Sequence, residues 1–238
     1  MRHIMIFGGT GGIGAAMVRR FAAAGDRVSL TWNAAEEKAA SLEKETGARA
    51  YHADITRPEQ VRAAAAAAES AFGPPEVVIC AAGVGLNRML ADTTDEEYRR
   101  VMDTNVYGPF CVMREVMPGM FWRRKGVILT VSSIWGQTGA SCEGVYSAAK
   151  AAVIGLTRAA AKEVAESGVR VNCIAPGLID TPMNDHLSAE EKRALTEEIP
   201  LGRAGLPAEV AETAFFLAGD GAAYITGQVI PVNGGWYI

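Results

Sequence analysis

Residues 3–14 read HIMIFGGTGGIG. The apolar run HIMIF (3–7) has the character of a buried strand, and an amphipathic helix follows the glycines as far as Ala24. Between them Gly8, Gly12 and Gly14 stand in a G-x-x-x-G-x-G spacing. Glycine lets the turn be tight and lets a phosphate approach the backbone, and the helix start then offers N–H groups to that anion. A glycine cluster alone is a weak signal. Set between the first strand and the first helix, it points to nucleotide binding. The candidate contacts of this loop are Gly8, Thr10, Gly12, Ile13 and Gly14.

Strands and helices keep alternating outward from there. RVSLTW (27–32) and ARAYH (48–52) read as the second and third strands, and Pro58 opens a helix through an alanine-rich run to Phe72. EVVICAAG (76–83) and VILTVSS (127–133) are the next two strands, joined by a long helix from Asp95 to Trp122, bent or broken near Pro109 and Pro118. Val145 to Ser167 reads as a helix, VRVNCIA (169–175) as a strand, Pro207 to Ala218 as a helix and QVIPV (228–232) as a last strand. Residues 178–206 are polar, with short helical stretches, and read as a flexible lid over a site. Continuous apolar strands separated by helices imply an α/β, doubly wound domain, a parallel sheet with helices on both faces. No linker or repeat divides residues 1–238, so one domain is expected.

Composition narrows the function. A formal charge of −4 and no dense Lys/Arg cluster argue against nucleic acid, RRK (123–125) being the most basic run. Cys80, Cys111, Cys142 and Cys173 are far apart, without metal-ligand spacing, and the three histidines are isolated, so no metal site is expected. The first strand begins at His3 and no apolar run reaches transmembrane length. The expectation is a reduced, cytoplasmic protein with no membrane partner.

The end of the second strand is where an adenosine ribose is read. An NAD-preferring site places a carboxylate there, whereas this chain has Thr31, Trp32 and Asn33. That favours NADP(H), although the glycine loop carries no basic residue and NAD(H) stays compatible with it. Asp54, after the third strand, is placed to meet the adenine amino group or to act as a cap near the helix opened by Pro58.

Tyr146 and Lys150 stand four residues apart on one helix face. A phenol has an ordinary pKa near 10. An ammonium about 4 Å away favours phenolate by up to roughly 4 kcal/mol at an effective dielectric of about 20, with desolvation opposing. Ser133, at the end of the fifth strand, lies where open parallel sheets place ligand crevices, and Ser132 should point the other way. Ser133 could bond a substrate carbonyl while Tyr146 delivers a proton and a dihydronicotinamide delivers hydride. Asn105, inside the long helix, reads either as a satisfied buried amide or as the holder of a water beside Lys150.

With the glycine loop, Asp54, Asn105, Ser133, Tyr146, Lys150 and APGLIDT (175–181), the chain resembles the short-chain dehydrogenase/reductase family from end to end. The resemblance implies a Rossmann fold with a seven-stranded sheet and a catalytic set of Asn105, Ser133, Tyr146 and Lys150. It also implies that Lys150 binds the nicotinamide ribose and that Thr181 with Ile179 meets the carboxamide. Further cofactor contacts are implied at Ile55, Ala81, Ala82, Gly83, Tyr146, Pro176 and Gly177, and a homotetramer packed through the long helices and the C-terminal strand and helix. Two positions depart from the family pattern: CAAG (80–83) stands where N-N-A-G is usual, and Phe7 where a threonine is.

Within the family, PLGRAGLPAEVAETAFFLA (200–218) and YITGQVIPVNGG (224–235) resemble 3-oxoacyl-acyl-carrier-protein reductases, which implies a carrier-linked thioester substrate. That group commonly has glutamine where Glu143 stands. SSIWGQTGASCE (132–143) and NGGWYI (233–238) resemble reductases of 5-aminopentanone-modified elongation factor P. There Glu143 would pair with a substrate ammonium; the bland reading is a solvated loop glutamate. Ser133, Glu143 and Tyr146 are thus the candidate substrate contacts. A nucleotide-binding regulator without chemistry is the alternative of a different class, and the intact Ser133, Tyr146 and Lys150 argue against it.

Overall fold

The computed structural model describes residues 1–185 and 187–238. Strand β1 (His3–Phe7) passes through the glycine turn into α1 (Gly12–Ala23). Then come β2 (Arg27–Trp32), α2 (Glu36–Thr46), β3 (Arg49–His52), α3 (Pro58–Phe72) and β4 (Val77–Cys80). Helices α4 (Asp95–Met102) and α5 (Gly108–Arg123) lead to β5 (Gly126–Val131), and α6 (Trp135–Thr138) and α7 (Gly144–Val164) lead to β6 (Val169–Pro176). Helices α8 (Ala189–Glu197) and α9 (Pro207–Leu217) precede β7 (Val229–Val232).

The strands form one seven-stranded sheet in the order β3-β2-β1-β4-β5-β6-β7, every pairing parallel. Alternation along β1 shows why both faces are covered. Ile4 and Ile6 pack with Met17, Val18 and Phe21 of α1 and Val210 and Leu217 of α9. Met5 and Phe7 face the opposite layer, with Val61 of α3, Val112 and Met120 of α5 and Val164 of α7. The doubly wound α/β reading therefore holds. Chain order reverses at β1, whose Ile4 pairs with Val28 of β2 on one side and Val77 of β4 on the other, and the ligand crevice of such a sheet opens at that switch point.

One local reading needs correction, that the connecting helix bends or breaks near Pro118; elsewhere the structure adds detail. The polar segment after β2 forms α2, which buries Ala39 and Leu42 and ends on left-handed Gly47 (φ 72); Glu36 and Glu37 sit at its positive pole. The long connecting helix is interrupted near Pro109, as expected: Asp103–Tyr107 is a π-helical turn, with the Gly108 N–H donating to the Asp103 carbonyl. Pro109 follows and has no N–H to return to the carbonyl of Asn105. Pro118, by contrast, does not interrupt α5, because Val112 and Val116 before it and Met120 after it are buried against the sheet. The polar segment 178–206, expected to hold short helical stretches, carries α8, whose capping box joins Ser188 and Glu191. Its two ends are drawn together by an Ile179–Gly205 bridge, with N–H groups of Asp180 and Gly205 donating to Gly205 and Leu178 carbonyls, each at 2.9 Å.

Candidate active site

At the switch point, Gly8 has φ 82, and a side chain there would strike the backbone of Ala82 after β4. A side chain at Gly14 would strike the Gly8 carbonyl, and a Cβ on Gly12 would lie 2.6 Å from Thr181 Cγ2. These glycines bring the loop, the end of β4 and the segment after β6 together. No side chain caps α1 and no acidic residue occupies its first turn, so its N–H groups face an anion unopposed. Such a cradle fits the pyrophosphate of a dinucleotide.

Thr31 is not available to read a ribose. It is buried; its hydroxyl accepts from the Gly8 N–H (3.2 Å) and its carbonyl from the Gly9 N–H (3.0 Å), so it supports the loop from beneath. Trp32 and Asn33 stand at the end of β2, Trp32 packed edge-on against His52 at 4.8 Å. Asp54 accepts from the N–H and hydroxyl of Thr56 (2.9 and 2.7 Å) through Oδ1, while Arg57 is the residue that caps α3. Ile55 is buried against the start of α5, and Gly108 leaves room for it: a Cβ would lie 2.8 Å from Ile55 Cγ2.

Gly83 joins two of the candidate catalytic residues. A Cβ on it would sit 2.9 Å from Asn105 Oδ1 and 3.2 Å from Lys150 Nζ. The π-helical turn aims the buried Asn105 amide at the backbone of Val84, accepting its N–H (2.9 Å) and donating to its carbonyl (2.8 Å). The satisfied-amide reading thus describes the side chain, which leaves the main-chain carbonyl of Asn105 as the group able to hold a water.

Ser133, Tyr146 and Lys150 converge as the spacing predicts. Ser132 turns away, its hydroxyl donating to the Lys150 carbonyl at 2.8 Å, while Ser133 lies close enough to the Tyr146 phenol to favour its ionised form. Lys150 is buried, donates from Nζ to the Val131 carbonyl at 3.0 Å, and lies 5.5 Å from the centroid of the Tyr146 ring. Burial outweighs the other influences on both groups. Tyr146 is pushed up to about 12, chiefly by desolvation, with Ser133 opposing and the charge of Glu143 adding to the rise. Lys150 is pushed down to about 8 by desolvation. The expected balance in favour of phenolate is therefore reversed. Tyr146 is a protonated phenol, a group that can donate to a carbonyl oxygen.

Beyond the sheet edge, Pro176 accepts from the Ile134 N–H (2.8 Å), and Gly177 packs so closely on the turn after β7 that a Cβ would lie 2.9 Å from Asn233. Thr181 is in place against the glycine loop, but the Ile179 side chain points into the core and its carbonyl accepts from Asn184 at 2.7 Å. Of Ile179, only backbone is left for a ligand. Ala81 and Ala82 line the end of β4 beside the loop, Ala81 donating its N–H to Phe7 at 2.9 Å. Glu143 stands half-buried at the start of α7, bridged through the backbone to Arg88.

Two features went unread in the sequence. Trp135 and Trp236 meet across the outside of the site, and Gln137 Oε1 is buried without a hydrogen-bond partner among the described residues. Their segments, SSIWGQTGASCE and NGGWYI, had been singled out, but nothing in the linear spacing brings them together. Among the described residues no cluster of His, Cys, Asp and Glu of metal-binding kind forms.

The comparisons agree with this geometry. A family model described as enoyl-(acyl carrier protein) reductase matches residues 8–237. The chain is 36% identical over 239 residues to the uncharacterized oxidoreductase YmfI of Bacillus subtilis, covering 98% of each chain. It is 37% identical over 242 residues to the 3-oxoacyl-[acyl-carrier-protein] reductase FabG of Staphylococcus aureus, covering 100% of this chain and 98% of that one. It is also 37% identical over 237 residues to the FabG of Chlamydia trachomatis, covering 97% and 95%. With a parallel seven-stranded sheet, a glycine cradle at its switch point and Ser133, Tyr146 and Lys150 gathered beside it, the chain belongs to the short-chain dehydrogenase/reductase family of oxidoreductases.

Proposed function

We propose that the chain, acting as one domain, is an NADP(H)-dependent ketone reductase whose substrate is a 3-oxoacyl thioester on an acyl carrier protein. The observation that carries this reading is the gathering of Ser133, Tyr146 and the buried amine of Lys150 beside the glycine cradle, Nζ lying 5.5 Å from the Tyr146 ring. The absence of a carboxylate at Thr31, Trp32 and Asn33 supports the phosphorylated cofactor. A bound dihydronicotinamide supplies the hydride. Ser133 orients the ketone oxygen by a hydrogen bond, and Tyr146, held neutral by burial, transfers its proton to that oxygen as negative charge develops. Lys150 then favours the phenolate, and the Asn105 carbonyl, lacking a helical donor from Pro109, holds the water through which the phenol is reprotonated.

Two further points belong to this reading. A homotetramer is supported by the exposed apolar groove between α5 and α7, where Phe110, Phe121, Trp122 and Leu156 line the surface. A cytoplasmic site of action is consistent with the described residues, none of whose helices is long and apolar enough to cross a membrane.

A second reading takes the 5-aminopentanone modification of elongation factor P as the substrate. The charge of Glu143 is felt at Tyr146, which puts a carboxylate within reach of the reacting ketone. NADPH oxidation by the purified chain with a 3-oxoacyl thioester and with the modified factor, Tyr146→Phe as control, tests both. Turnover of the thioester, lost by about a thousandfold in the variant, supports the first; selective turnover of the modified factor supports the second. No turnover with either would reject both substrate readings.

A further inference from the structure

Tyr146 stands in the first turn of α7, so its placement follows that of the loop entering the helix. That loop closes on the helix it precedes. The Glu143 N–H donates to the Ala140 carbonyl (3.3 Å), the Ser147 N–H to the Glu143 carbonyl (2.8 Å) and the Ala140 N–H to Ser147 Oγ (3.2 Å). Within it Cys142 takes φ 60, a left-handed conformation that a residue with a side chain keeps only where its surroundings hold it there.

The hold comes from the segment between β4 and α4. The Arg88 N–H donates to the Cys142 carbonyl at 2.6 Å, and Arg88 forms a parallel bridge with Glu143. Leu90 covers the start of α7, where a Cβ on Gly144 would lie 3.2 Å from Leu90 Cδ1. Val84 and Leu86 pack with Val101 of α4 and with Val145 and Ala149 of α7. The Arg88 side chain reaches the other way, its guanidinium donating to Glu97 Oε1 at 2.8 Å. Glu97 is itself fixed, since its Oε2 accepts from the Thr94 N–H at 3.0 Å in the capping box of α4. Arg88 thus ties the start of α4 by its side chain to the start of α7 by its backbone. The Arg99–Asp95 pair, four residues apart on α4, joins that helix to itself instead.

We propose that Arg88 is a positioning residue: its pair with Glu97 fixes the backbone that holds Cys142 left-handed, and so sets Tyr146 beside Ser133. This rests on the ketone-reductase reading and adds to it a residue outside the reacting groups. The pair contributes little to stability, because the Arg88 side chain is half exposed and solvent screens such pairs. Its effect is on placement, and small displacements of reacting groups cost far more in rate than in folding.

The test follows Cys142, which is half-buried while Cys80, Cys111 and Cys173 are buried. Cys142 should therefore dominate labelling by N-ethylmaleimide, and Cys142→Ser identifies its share. In Arg88→Met the labelling rate should rise about fivefold. Losing a cation would by itself slow attack by a thiol, so acceleration reports opening of the loop. With NADPH and a short 3-oxoacyl thioester, kcat should fall about tenfold while the Kd of NADPH and the urea midpoint hold. Glu97→Gln, which can still close the capping box, should share both changes in direction. Arg88→Lys, which keeps a cation within reach of Glu97, should retain most of the wild-type rate. Unchanged labelling, or faster labelling with kcat intact, would overturn the proposal, as would a loss of kcat matched by a fall in the urea midpoint. Labelling needs no turnover. A wild type that fails to oxidise NADPH rejects the reductase reading, whereas labelling untouched by Arg88→Met rejects this one.

Discussion

Replacing Lys150 by methionine should flatten the dependence of stability on pH. Burial lowers the Lys150 ammonium from its ordinary 10.5 to about 8. Between these values the unfolded chain holds a proton that the folded chain has released, so stability rises with pH across the window. Below it both states are protonated and the cost of burying the charge is present in full; above it that cost is gone. The gap of about 2.5 pH units, at about 1.4 kcal/mol each, amounts to about 3 kcal/mol. Methionine removes the titration but leaves the Val131 carbonyl without its 3.0 Å donor. That loss is about 1–3 kcal/mol and does not vary with pH. At neutral pH the two effects nearly offset, so the absolute stabilities are a poor readout and the slope is the informative one. Urea unfolding of both proteins from about pH 7 to about pH 10 should show the wild type gaining about 3 kcal/mol relative to Lys150→Met. Parallel pH profiles would refute the account of Lys150 as a buried amine held against its solvation preference.

Glu143→Gln removes a charge that raises the Tyr146 pKa, so the alkaline fall of the reduction rate should begin at lower pH than in the wild type, as a pH–rate profile would show. Gly83→Ala places a methyl 2.9 Å from Asn105 Oδ1 and 3.2 Å from Lys150 Nζ. It should cost about 1–3 kcal/mol in urea unfolding and reduce turnover further than the stability loss explains. Trp32→Asp restores a carboxylate at the end of β2 and should lower the preference for NADPH over NADH by about tenfold, measured as a ratio of dissociation constants.

Most of the fold was legible because parallel strands buried on both faces leave unbroken apolar runs, as in HIMIF and VRVNCIA, and the intervening helices carry their own punctuation in Pro58 and Pro207. Helix α2 was not, since it buries just Ala39 and Leu42 and its apolar face is too narrow to show as a period. The candidate catalytic side chains were legible because Tyr146 and Lys150 share a helix face and Ser133 ends a strand. What spacing could not convey is direction and degree of burial. Thr31 and Ile179 turn inward, Asn105 gives its amide to Val84, and the rise of the Tyr146 pKa follows from desolvation that only the packed structure reveals. Contact between Trp135 and Trp236 depends on how β7 and the segment after α8 meet, a relation with no local signal.

The π-helical turn at Asp103–Tyr107 contains one residue more than an α-helical path through the same space would use. Each residue rotates a helix by about 100°, so deleting any one of the four residues around Asn105 would fuse α4 and α5 into a more regular helix and swing Asn105 away from Val84. The position of the amide is thus set by chain length as much as by the identity of Asn105. Scanning the segment by substitution would pass over this dependence. A one-residue deletion would expose it, giving a helix that is better formed and a site that no longer closes.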